Sequence, residues 1–178
     1  MKVFLKAFLT CAAGSALLFG QAKPAANAPI QSSHSLFTYM SQFVMRSAEK
    51  IPENLYSYKP TPEVRTIGQL FGHIADASNH ICAAAIGGKP AAGSVEKTAK
   101  TKAELIAALK REFAGCEANY SKLTPASAME TIEFEGMTLT RVGAMDYEAV
   151  HTAEHYGNLV TYMRMNKIVP PSSEPQKK

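Results

Sequence analysis

Four stretches of the chain repeat apolar side chains at helical spacing, and each is bracketed by residues that start and stop helices. Together they restrict the fold to a helical bundle. The second stretch is the clearest. Thr66 and Gln69 form a capping box, in which each side chain serves the backbone nitrogen of the other. Ile67, Phe71, Ile74, Ile81 and Ala85 then share one face, and Gly87-Gly88 ends the helix. Ser78 is the polar exception on that face, and its hydroxyl is expected to bond back to the Ile74 carbonyl. The third stretch opens with a second capping box, Thr101 to Glu104, and runs to about residue 123, before Pro125. The first is expected over residues 33–51, with Leu36, Met40, Phe43 and Val44 as its stripe and Pro52 as its stop. The fourth is expected over residues 140–166, with Met145, Ala149, Tyr156, Leu159, Val160 and Met163 facing the core. Asn166 is expected as its left-handed cap, ahead of Pro170-Pro171. Residues 131–139 alternate around a glycine and read as a small hairpin or an extended loop. The expectation is an all-α four-helix bundle.

What precedes the bundle reads as a targeting segment. Lys2 and Lys6 lead an apolar run from Ala7 to Phe19, and small residues Gly20 and Ala22 follow at the −3 and −1 positions of a cleavage site. The run is short against the roughly 20 residues a membrane span needs. Residues 1–22 are therefore expected to be a secretory signal peptide, a retained membrane helix being the alternative. Contact with a membrane is then confined to export, and the mature chain is periplasmic or secreted. Residues 23–32 read as a linker, residues 33–171 as the bundle, and residues 172–178 as a disordered tail.

Loss of Lys2 and Lys6 takes the formal charge from +4 to +2. A near-neutral chain without a basic stripe or an aromatic platform is not built for nucleic acid. Two cysteines remain after cleavage, Cys82 and Cys116. In an exported protein such a pair suggests a disulfide; two separate buried thiols are the alternative. Oligomeric state is not encoded legibly, and a homodimer stays open.

The chemistry is carried by histidines. His151 and His155, in the run HTAEHYGN, are spaced i, i+4. On a helix this sets two imidazoles on one face with Cβ atoms about 5–6 Å apart. They lie on a flank beside the core face, in a stripe with Asn158 and Tyr162. His73 lies on the corresponding flank of the second helix. Were the flanks to meet, three imidazole nitrogens could hold one divalent ion with coordination positions left open, as a catalytic metal requires. The alternative is three ordinary surface or core histidines. Asp76, one turn after His73, and Glu148, one turn before His151, could orient the rings. Tyr162 on the same flank is a candidate substrate contact, ahead of Arg164, which lies off it and suits the negative end of the helix dipole. His34 reads as a surface residue, and His80 is too far along the helix to join His73 on one ion. H-E-x-x-H, a second E-x-x-H, G-x-S-x-G, a P-loop and a dinucleotide fingerprint are all absent.

The run TIGQLFGHIADASNH at residues 66–80, a long crossover, and HTAEHYGNLVTYMRMNKIVPP at residues 151–171 together resemble the DinB/YfiT-like superfamily. The resemblance covers residues 33–171. It departs at His155-Tyr156-Gly157-Asn158, where the family commonly reads His-Arg-Gly-Gln. It implies an up-down-down-up bundle with a divalent metal (zinc, nickel or iron) on His73, His151 and His155. Parallel second and third helices would make a Cys82–Cys116 bridge geometrically feasible. It also implies metal-dependent chemistry on a small molecule. Related proteins use low-molecular-weight thiols such as bacillithiol or mycothiol, and a metal-activated water would make a hydrolase. A non-catalytic metal-binding or stress-associated bundle is the other expectation.

Overall fold

The computed structural model describes residues 26–175. The expected signal peptide, residues 23–25 of the linker and residues 176–178 of the tail lie outside the described residues. Four long helices build the molecule: α1 (Ala28–Lys50), α2 (Ile67–Ala85), α4 (Lys102–Tyr120) and α5 (Arg141–Met165). A one-turn helix, α3 (Val95–Thr98), interrupts the polar connection between α2 and α4, and a hairpin, β1 (Thr131–Phe134) and β2 (Met137–Thr140), precedes α5. Among the described residues no helix is long and apolar enough to cross a membrane.

Contacts between helices set their directions. Ser33 meets Tyr120 near the start of α1 and the end of α4, whereas Lys102 at the start of α4 reaches the Glu49 and Ile51 carbonyls at the end of α1, so these two run antiparallel. Gly68 lies against Leu105 and Cys82 is joined to Cys116, so α2 and α4 run parallel. His73 faces His151 and His155, while Arg141 at the start of α5 donates to the Ala85 carbonyl at the end of α2, so α2 and α5 are antiparallel. The order is up-down-down-up. The core between the four contains Phe37, Val44, Phe71, Ile74, Leu109, Met145, Leu159 and Met163, all fully buried. Burial of each such side chain is worth about 1.5–3 kcal/mol.

Both capping boxes form as expected, and Thr140 caps α5 by accepting from the Gly143 nitrogen. Gly87 takes the left-handed conformation that ends α2, at φ 71°, and the Gly88 nitrogen closes back on the Ala83 carbonyl. The hairpin turns on Glu135 and Gly136, both at positive φ, which matches the twist of two short antiparallel strands. Its Phe134 tucks beneath Tyr147 of α5.

Several expectations are corrected. α1 begins at Ala28, so residues 28–32 belong to the bundle and not to a linker; Pro29 sits in the first turn, where its missing N–H costs nothing. The buried residues of α1 are Ser33, Phe37, Ser41, Phe43, Val44, Ser47 and Ala48, so Phe43 and Val44 of the expected stripe face the core. Leu36 of the expected stripe is 55% exposed, while Ser33, Ser41 and Ser47 are buried beside the aromatic and aliphatic side chains. Ser78 does not bond back to its own helix; its hydroxyl donates to Glu148 Oε1 at 2.6 Å. The left-handed residue after α5 is Lys167, at φ 59°, one beyond Asn166. The expected tail is docked as far as residue 174. Pro171 is buried, the Tyr156 hydroxyl donates to Ser172 Oγ at 2.7 Å, Arg164 donates to Ser173 Oγ at 2.8 Å, and Glu174 is paired with both Arg46 and Lys50. Composition alone reads this segment as solvated, because its anchors are single residues without a period.

Candidate metal centre

His73 comes from the second turn of α2, and His151 and His155 from successive turns of α5. Because the two helices are antiparallel neighbours, their polar flanks face one another. The three Nε2 atoms converge. His151 Nε2 lies 3.2 Å from His73 Nε2 and 3.1 Å from His155 Nε2, and the three donor atoms all lie within 4.8 Å of one another. Donors held at 2.0–2.1 Å from one tetrahedral ion would be about 3.3 Å apart. The arrangement therefore fits a single divalent ion with one or more positions left for other ligands. His155 is buried, and His73 and His151 are half-buried. Burial depresses all three imidazole pKa values, assisted by the Arg65 charge; repulsion from neighbouring imidazoles adds to this at His151 and His155, and His151 is pushed down to about 4. At neutral pH all three rings are uncharged, which is the state a metal ligand must have.

The outward nitrogens have unequal partners. Glu96 Oε2 stands 3.6 Å from His73 Nδ1, and Glu96 Oε1 accepts from Arg65 Nε at 3.0 Å. His155 Nδ1 faces the Asn158 amide at 3.3 Å. His151 Nδ1 is buried and has no hydrogen-bond partner. Glu96 reaches His73 because of Gly72. A Cβ at position 72 would lie 2.5 Å from Glu96 Cα, so only glycine lets the α3 backbone rest on α2 at this point. Asp76 then fixes α3 from below. Its carboxylate accepts from Ser94 Oγ (2.7 Å) and from the Val95 (2.6 Å) and Glu96 (3.1 Å) nitrogens.

The residues expected around the histidines are thus redistributed. Asp76 acts on His73 through the placement of Glu96, not by touching the ring. Glu148 is fully buried one turn before His151, but its hydrogen bonds come from Ser78 and from Thr152 Oγ1 (3.0 Å), both to Oε1, while Oε2 has no partner. Burial lifts its carboxyl to about 7 against those two hydroxyl donors. Tyr162 is buried and donates to the Arg65 carbonyl at 3.2 Å, so its hydroxyl braces Arg65. Arg164 is turned to the docked C-terminal segment. His34 pairs with Glu117, and His80 lies 3.3 Å from Glu135, both away from the triad. Glu96, Arg65 and Gly72 had no signal in the sequence. A four-residue helix is too short to show a period, and a glycine inside a helix reads as a mild defect until its neighbour is known. Cys82 and Cys116 form a disulfide with Cα atoms 5.3 Å apart.

The comparisons with known proteins agree with this architecture. A DinB-like protein from Bacillus cereus superposes with a TM-score of 0.69 at 17% identity, covering 80% of this chain and 95% of its own. A DinB-like protein from Bacillus subtilis gives a TM-score of 0.63 at 23% identity, covering 82% of this chain and 99% of its own. At such identities the likeness speaks for the fold alone. No curated protein is detectably similar in sequence. The family model described as the DinB superfamily matches residues 41–159, well over half of the chain and including all three histidines, and the protein therefore belongs to the DinB superfamily.

Proposed function

We propose that this protein is an exported metal-dependent enzyme that acts on a small molecule at a centre formed by His73, His151 and His155. The observation that carries the reading is the convergence of three neutral Nε2 atoms at ligand spacing on one flank of the bundle. Three imidazoles suit zinc, nickel or iron. A bound divalent ion would supply Lewis acidity and lower the pKa of a coordinated water or thiol. Everything else is done by the chain. Glu96 Oε2 stands 3.6 Å from His73 Nδ1, on the side away from the converging Nε2 atoms, and the Asn158 amide nitrogen lies 3.3 Å from His155 Nδ1. Arg65, exposed and braced from behind by Tyr162, is placed to meet an anionic group of a substrate.

A hydrolase using water, or a transferase using a low-molecular-weight thiol, would both fit this donor set. The Cys82–Cys116 bridge supports export, since disulfides persist in oxidising compartments. That compartment favours water as the nucleophile, because free thiols are scarce there. The test is turnover of a panel of esters, amides and thiol–electrophile pairs, with and without chelator. Chelator-sensitive hydrolysis that disappears in His151→Ala, with stability kept, is the expected result. Absence of chelator-sensitive turnover across the panel would leave a non-catalytic metal-binding bundle.

A further inference from the structure

Two buried polar atoms on α5, one of them on a histidine of the triad, lack partners, and they are carried by side chains three residues apart. Glu148 Oε2 and His151 Nδ1 are both sealed from solvent and both without a hydrogen bond. Residues i and i+3 on a helix have Cβ atoms about 5–6 Å apart. A single water can span two such groups, and buried waters serve otherwise unpaired buried polar atoms. The rest of the Glu148 carboxyl is already committed: Ser78 and Thr152 both donate to Oε1, which fixes the group's orientation and leaves Oε2 as its free acceptor. Of the three histidines, His151 alone has an outward nitrogen that is both buried and without a partner; Glu96 stands 3.6 Å from that of His73, and Asn158 Nδ2 lies 3.3 Å from that of His155.

We infer that Glu148 is the positioning residue for His151: through one internal water, Oε2 accepts the Nδ1 proton and holds the ring in the tautomer whose Nε2 lone pair faces His73 and His155. This rests on the metal reading above and extends it. An apolar residue would suit the core at position 148 better than a carboxylate; the acid is explained by the orientation it imposes on the ring. The direction of the effect in a variant follows from hydrogen-bond polarity. In Glu148→Gln the carbonyl can keep both hydroxyl bonds, so packing is preserved, but an NH₂ replaces Oε2. The amide then donates to the water, the water donates to Nδ1, and the ring proton is driven to Nε2, where it blocks the ion.

Two measurements test this. The first is imidazole ¹⁵N NMR of the metal-free wild type at pH 8. His151 is expected to carry its proton on Nδ1, and to carry it on Nε2 in Glu148→Gln. The second is Zn²⁺ affinity by competition with a chromophoric chelator, expected to weaken by about 10–100-fold in Glu148→Gln. A wild-type His151 protonated on Nε2, or a Glu148→Gln protein with unchanged zinc affinity, would overturn the inference. If the variant fails to fold, the wild-type tautomer decides alone. If the wild type binds no zinc, the metal reading fails, while the tautomer of the metal-free protein still reports on Glu148 by itself.

Discussion

A side chain at position 72 would place its Cβ 2.5 Å from Glu96 Cα and 2.8 Å from the Glu96 nitrogen, and backbone cannot give way as a flexible side chain can. Gly72→Ala is therefore expected to lift α3 off α2 and carry Glu96 away from His73. Overpacking of this kind costs about 1–3 kcal/mol, and loss of the carboxylate partner weakens a histidine–metal bond by about tenfold or more. Urea unfolding and zinc competition on the variant would check both; an unchanged zinc affinity would mean that Glu96 does not support His73. At this scale the sequence is informative about the histidine cluster and silent about what surrounds it. The i, i+4 pair and the flank position of His73 are local properties of two helices, readable by projection. Glu96 and Arg65 reach the site through a one-turn helix and a loop, and nothing local encodes where those land. Asp76 and Glu148 are expected from projection to orient the rings, and projection cannot show that one caps α3 and the other is enclosed in the core.

The helices themselves were legible because their ends are marked. Capping boxes at Thr66 and Thr101 and the glycines after α2 appear where the residue types placed them. Thr66→Ala removes an acceptor for the Gln69 nitrogen and should cost about 1 kcal/mol. The two ends that were misread, the start of α1 and the docked segment after α5, depend on a proline tolerated in a first turn and on individual contacts to Arg46, Lys50 and Tyr156. The Cys82–Cys116 bridge joins parallel α2 and α4 across a sequence separation of 34. By the chain-entropy argument its reduction should cost about 3–4 kcal/mol. The double variant Cys82→Ala/Cys116→Ala should show that loss in urea unfolding with zinc affinity nearly unchanged, since the bridge lies between α2 and α4 and the histidines between α2 and α5. A large loss of affinity would show that the bridge tensions the metal site as well.

For the whole molecule, the buried titratable groups pull stability in opposite directions with pH. His151, with a folded pKa of about 4 against an ordinary 6.5, adds stability that is present above pH 6.5 and is lost as pH falls towards 4. His73 and His155 are shifted the same way. Glu148, raised from 4.5 to about 7, has the opposite sign: its contribution is present below pH 4.5 and is lost as pH rises through 7. Between pH 4.5 and 6.5 the two effects offset each other in part, so metal-free wild type should lose stability gently on acidification. Glu148→Gln removes one side of that balance, and its stability should fall more steeply over the same range. Parallel urea-midpoint profiles for the two proteins would contradict the burial of an ionisable Glu148.

The central claim is that three histidines from two helices hold one metal ion. The most direct measurement is metal content, by elemental analysis, of protein expressed in metal-replete medium and passed through a desalting column, beside His73→Ala, His151→Ala and His155→Ala. The account predicts close to one divalent ion per chain in the wild type and a large loss in each variant, with the helical circular dichroism retained. Less than about half an equivalent in the wild type, or full occupancy in any of the three variants, would contradict it.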